Sequence, residues 1–160
     1  MTTKNITESE ALLKLSALCS RSEHSSGEMM DKMRRWGMDS EARERVLARL
    51  ISERFVDDER FCRFFVRDKM RFDRWGRRKI EQALYAKGVS ADIYGAVLDE
   101  VPDESFAQIL RPLIAAKRRT LKGGDEYADK ARLVRFAMQR GFGYDIIRKC
   151  IDCDGLEPDL

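Results

Sequence analysis

Three consecutive acids, Asp57, Asp58 and Glu59, stand directly before a run that interleaves aromatics with cations, FCRFFVRDKMRFDRW. Adjacent carboxylates can perform acid/base work or hold a hard metal ion. Aromatics set among cations can stack nucleic-acid bases. The same residues can also cap a helix and fill its buried face. Two other places invite the same question. Cys150 and Cys153 form one CxxC, which supplies two of the four ligands a structural zinc site needs. His24 is the sole histidine, and it lies where Ser25 and Glu28 have capping-box spacing, so a structural or surface role is expected of it. There is no GxxxxGK[ST] phosphate loop, since Lys122-Gly123-Gly124 is too short, and no HExxH or GxSxG. The residues nominate no catalytic group, no metal site and no cofactor.

The elements that must carry these residues decide between the readings. As a helix, the stretch takes Asp57 as N-cap, with Asp58 and Glu59 at the positive end of the dipole. Val56 and Phe61 then have the spacing of a hydrophobic staple. At 100° per residue, Phe61, Phe64, Phe65, Phe72 and Trp75 fall within about 100° of arc, a candidate core face. Asp68 falls on that face and is its one misfit. Arg67, Lys69, Arg71 and Arg74 fall mostly elsewhere. On this reading the aromatics serve folding, and the outward cations are left for function.

The whole chain repeats this construction. Aligning Gly37, Gly88 and Gly141 brings three segments into step, 51 and 53 residues apart. Eight positions before each glycine lies Met29, Ile80 or Leu133, and immediately after it Met38, Val89 or Phe142. Each glycine has the setting of a left-handed residue that ends one helix, so replacing it by Ala should cost about 1 kcal/mol. Ser90 and Asp39 or Ser40 are candidate N-caps of the helices that follow. A further helical segment precedes each pair; in the third, Pro112 is expected in a first turn or at a bend. Pro is scarce and strand-like alternation is absent, so the fold class expected is all-α: three tandem three-helix units forming an elongated array. The boundaries expected are a flexible N-terminus at 1–6, repeats at 7–55, 56–102 and 103–153, and an acidic tail at 154–160.

The charge is patterned more than it is large. The 160-residue chain has a formal net charge of +3. Between Arg63 and Lys79 there are eight bases and two acids; between Arg111 and Lys122, five bases and no acid; from Asp152 onward, four acids and no base. Basic patches of this kind attract polyanions or acidic protein surfaces. The candidate contact residues are Arg67, Lys69, Arg71, Arg74, Arg77, Arg78 and Lys79, then Lys117, Arg118, Arg119 and Lys122, then Arg132 and Arg135. No apolar run approaches a membrane span, and the N-terminus lacks secretory features, so a cytoplasmic protein without membrane contact is expected.

Three sections resemble one known family. RSEHSSGEMMDKMRRWG carries an R-x-x-x-S-x-x-E pattern, with Met29 and Met33 at the family's leucine positions. FVDDERFCRFFVRDKM is similar to a signature in which an acidic pair precedes R-F-x-x-x-F-V-R, here Asp57, Asp58, Arg60, Phe61, Phe65, Val66 and Arg67. WGRRKIEQALYAKGV is similar to the segment that follows that signature. The family is RecX, bacterial modulators of the RecA recombinase. The resemblance implies three helix-turn-helix-like modules in a curved array and a non-enzymatic function; a monomer is expected. It implies binding to the RecA filament and restraint of its ATPase and strand exchange. Charge reversal at Arg77, Arg78 and Lys79 is then expected to weaken filament binding with little change in stability. The alternative is a helical protein that binds single- or double-stranded DNA on its own through its helix-turn-helix-like units.

Overall fold

The computed structural model describes residues 5–151, and among these every regular element is helical. Nine α-helices follow in order: α1 (Glu8–Arg21), α2 (Ser26–Arg35), α3 (Ser40–Ser52), α4 (Asp58–Asp68), α5 (Arg77–Ala86), α6 (Ala91–Asp99), α7 (Asp103–Arg118), α8 (Glu126–Gln139) and α9 (Tyr144–Cys150). They read as three groups of three, as the repeat requires. The acidic tail and Cys153 lie outside the described residues.

Local chemistry sets the helix ends. Thr7 accepts from the Glu10 amide at 3.1 Å, Asp39 from Ala42 at 2.8 Å and Asp57 from Arg60 at 3.0 Å. Ser25 and Glu28 form a reciprocal capping box, and Asp125 caps α8. At the other ends, Gly37, Gly88 and Gly141 have φ of 79°, 78° and 94°. The residue after each glycine donates back five positions: Met38 to Met33, Val89 to Leu84 and Phe142 to Ala137, at 3.1–3.2 Å. This Schellman closure satisfies carbonyls the helix would leave open. Pro112 departs from the first-turn expectation. It lies well inside α7, on an exposed position.

The chain forms two compact units, one built from the chain up to Phe64 with Leu84–Tyr94, the other from Phe65–Ala83 with the chain from Gly95 onward. In the first, α3 packs on α1 and α2 around Ala11, Leu15, Met29, Met33, Val46, Leu50 and Val56. In the second, α7, α8 and α9 pack on one another around Phe106, Leu110, Ile114, Leu133, Phe142 and Ile147. Each Val, Leu, Ile, Met or Phe among them contributes roughly 1.5–3 kcal/mol on burial. The unit boundary falls inside α4, α5 and α6 rather than between repeats.

Successive repeats meet through their backbones, by one rule used twice. Within the first unit, buried Ser25 donates its hydroxyl to the Lys87 carbonyl at 2.6 Å, and Gly27 lies against Gly88. Within the second, the Gly76 amide donates to the Arg140 carbonyl at 2.8 Å, and Arg78 to Gly141 at 2.9 Å. Ser25 and Gly76 are equivalent in the repeat alignment, as are Lys87 and Arg140. The start of each middle helix therefore sits on the glycine turn of the next repeat.

Candidate interaction surface

The aromatic stripe of α4 is rotated from its expected position. The residues that α4 buries are Phe61, Cys62 and Val66, with Phe65 half-buried. Phe64 is 46% exposed and Phe72 70% exposed, so neither is core. Asp68 is exposed and is no misfit. The smaller apolar residues Cys62 and Val66 set the true face, about 90° from the one traced through the largest side chains. After Asp68 the helix widens into a π-turn, Lys69–Asp73, and Arg74 ends it in the left-handed region at φ 56°. The widened turn carries Arg71 and Phe72 outward.

Of the three acids, Asp57 is the cap and Glu59 pairs with Arg63 at 2.6 Å. Asp58 does more than favour the dipole. One carboxylate oxygen accepts from the Ser26 amide at 2.7 Å and the other from the Ser26 hydroxyl, tying the start of α4 to the start of α2. Arg60 reinforces the link through Glu23 at 2.7 Å. Among the described residues no group of three His, Cys, Asp or Glu could hold a metal. Burial raises the thiols of Cys19, Cys62 and Cys150, Cys62 to about 11, which keeps them protonated and unreactive.

The cations divide by partner. Lys69 pairs with Asp73 at 3.0 Å, and its ammonium lies 4.7 Å from the Trp75 ring centre, with Lys79 at 4.8 Å from the same ring. Arg77 bonds Asp99 at 2.8 Å and lies 3.4 Å from Glu81. Arg77 is therefore a structural residue, and reversing its charge would set a carboxylate against two others. The Arg77, Arg78 and Lys79 reversal would therefore break an exposed pair within the fold as well as change the surface charge. Arg132 pairs with Asp129 at 2.9 Å. Lys117 lies over Phe136, as does Arg140. Arg71, Arg74, Arg78, Arg118, Lys122 and Arg135 are exposed, and among the described residues no carboxylate pairs with them.

Within the second unit, Arg67, Arg71 and Arg74 line one groove of about 440 Å³, together with Met70, Ser105, Gln108 and Ile109. The three arginines are exposed and Met70 and Ile109 are half-buried. Arg71 also stacks on exposed Phe72, 5.3 Å from the ring centre. The sequence pointed to the arginines but missed the groove, because its far wall comes from α7. Counting Cys62 and Val66 into the helical period puts Phe64 off the buried face, whereas Phe72 faces outward through the π-turn, which the period does not announce.

Comparison with known proteins places this architecture. Models of the first, second and third three-helix domains of RecX match residues 14–50, 57–98 and 103–151. The chain is 34% identical to a Chlorobium limicola protein named regulatory protein RecX, over 84% of this chain and 82% of that one. It is 31% identical to a Clostridium botulinum protein of the same name, over 78% of this chain and 58% of that one. The crystal structure of RecX from Lactobacillus salivarius superposes with a TM-score of 0.84 at 19% identity, covering 91% of this chain and 94% of that one. These relatives are named as regulatory proteins, not as enzymes. Among the described residues no helix is long and apolar enough to cross a membrane.

Proposed function

The chain belongs to the RecX family of regulatory proteins, and from that premise we propose that it binds the RecA–DNA filament and restrains ATP hydrolysis and strand exchange. The observation that carries this reading is the match of all three domain models, in order, along one chain. The surface chemistry supports it. Arg71, Arg74 and Arg78 stand outward without carboxylate partners among the described residues, so an acidic protein surface or the phosphates of bound DNA would complete them. Three modules in tandem also let modest contacts on successive protomers of a polymer add through effective concentration.

The test uses Arg71→Ala, Arg74→Ala and Arg78→Ala together and leaves Arg77 intact. Loss of three exposed charges, at about 0.5–1 kcal/mol each, should raise the concentration needed for half-inhibition of RecA ATPase by about tenfold or more. Thermal stability should stay unchanged. Undiminished inhibition by this variant would remove the patch from the contact. A second reading, independent binding of single-stranded DNA, is favoured by exposed Phe72 stacked with Arg71, the pairing of ring and cation that a base-stacking platform uses. It requires a salt-sensitive gel shift without RecA, and absence of any shift at low salt would remove it.

A further inference from the structure

Several cations of this chain rest on carboxylates, as Arg63 does on Glu59 and Arg132 on Asp129. Such a partner cancels the charge it positions. Within the second unit three cations are held differently. The Lys79 ammonium lies 4.8 Å from the Trp75 ring centre. Arg140 lies 5.2 Å and Lys117 5.5 Å from the Phe136 ring centre. Among the described residues no carboxylate pairs with Lys79, Lys117 or Arg140. An aromatic face attracts a cation through its quadrupole but carries no net charge. The rings therefore fix these cations in place and leave their charge available.

The two rings belong to one strip. Gly76, next to Trp75, donates its amide to the Arg140 carbonyl at 2.8 Å. The Lys79 stem packs against Gly141, where an added Cβ would collide with it. Lys79 on Trp75, Arg140 at the glycine turn and Lys117 beyond Phe136 thus follow one another across the unit. We propose that this strip is a track for the phosphate backbone of a nucleic acid.

Two features favour phosphate over an acidic protein surface. The strip contributes no exposed large apolar side chain, and Trp75 and Phe136 are half-buried. Protein interfaces draw most of their energy from buried aromatic and apolar anchors, whereas a phosphate backbone needs only placed charges. Each ring also holds two cations already, Trp75 with Lys69 and Lys79, Phe136 with Lys117 and Arg140. Neither ring is open to stack a base, so the contact positions the strand without reading its sequence. This separates the strip from Phe72, whose exposed ring suits base stacking. The inference goes beyond the filament reading and does not rest on it.

The experiment is fluorescence anisotropy of the full chain with labelled DNA and no RecA, so its failure leaves the filament reading standing. Affinity for a duplex should fall steeply between about 50 and 200 mM salt, and alike for duplexes of different sequence. Lys79→Gln with Lys117→Gln and Arg140→Gln should lower the slope of log affinity against log salt by about 3 on a duplex and about 2 on a single strand. Lys79→Arg with Lys117→Arg and Arg140→Lys, which keeps the charges, should keep the parent slope. Phe72→Ala should leave duplex binding unchanged. Trp36 is the other tryptophan, so Trp36→Phe makes Trp75 the reporter, and its emission should change when duplex binds. No salt-sensitive binding by the parent, an unchanged slope in the glutamine variant, or Trp75 emission indifferent to bound duplex would overturn the proposal. So would polyglutamate that displaces the duplex at equal charge concentration, which would point to an acidic protein partner instead.

Discussion

The three turn glycines look equivalent in sequence, yet replacing them should have unequal effects. At Gly37 the backbone is left-handed, but a Cβ would meet nothing within 4 Å. Gly37→Ala should therefore cost only the backbone term, about 1 kcal/mol. At Gly88 the same strain applies, and a Cβ would lie 2.6 Å from the Gly27 Cα. That collision is backbone against backbone, so no rotamer change relieves it, and overpacking of this kind costs about 1–3 kcal/mol. Separating the two turns also strains the Ser25 hydroxyl bond to Lys87, whose loss in a buried site costs about 1–3 kcal/mol. Gly88→Ala should thus lose about 3–7 kcal/mol. Gly76→Ala tests the same rule at the other junction, because its Cβ would lie 2.5 Å from the Gly141 carbonyl oxygen. The assay is thermal unfolding followed by far-UV circular dichroism. At about 2–4 °C per kcal/mol for a chain of this size, Gly37→Ala should lower Tm by about 2–4 °C and Gly88→Ala by about 6 °C or more. Equal shifts for Gly37→Ala and Gly88→Ala, or a parent-like Tm for Gly76→Ala, would refute the claim that the repeats are joined through glycine.

Asp58→Ala should lower stability by about 2–3 kcal/mol in urea unfolding, because it abandons both Ser26 donors, whereas Glu59→Ala, which loses one exposed ion pair, should cost under about 1 kcal/mol. Cys62 should resist a thiol reagent at pH 8 in the native state and react once the chain unfolds. Desolvation raises its folded pKa above the unfolded value, so stability is intact below the ordinary thiol range and falls as pH climbs through about 11, by at most about 1.4 kcal/mol per pH unit. Replacing Cys62 by Ala should flatten that alkaline loss.

Much of this was legible because the repeat is written in backbone chemistry. At each of the three aligned positions a glycine followed by an apolar residue forms a Schellman turn, and Thr7, Asp39, Asp57 and the Ser25/Glu28 pair cap as their types require. What was not legible depends on which neighbour arrives. Phe72 and Phe64 face outward because α4 is widened at its end and buries Cys62 and Val66 instead. Asp58 reads as a dipole partner until Ser26 is brought to it from 32 residues away. Arg77 reads as one more surface cation until Asp99 is placed beside it. The groove needs α7 as its second wall, and no spacing within α4 announces that.

The central claim is regulation of the RecA filament by binding, and the most direct measurement is RecA ATPase on single-stranded DNA, with and without this protein, at two salt concentrations. The protein should lower the ATPase rate at substoichiometric ratios to RecA, and higher salt should weaken the effect as cationic contacts are screened. An ATPase rate unchanged by the protein at either salt concentration would contradict it.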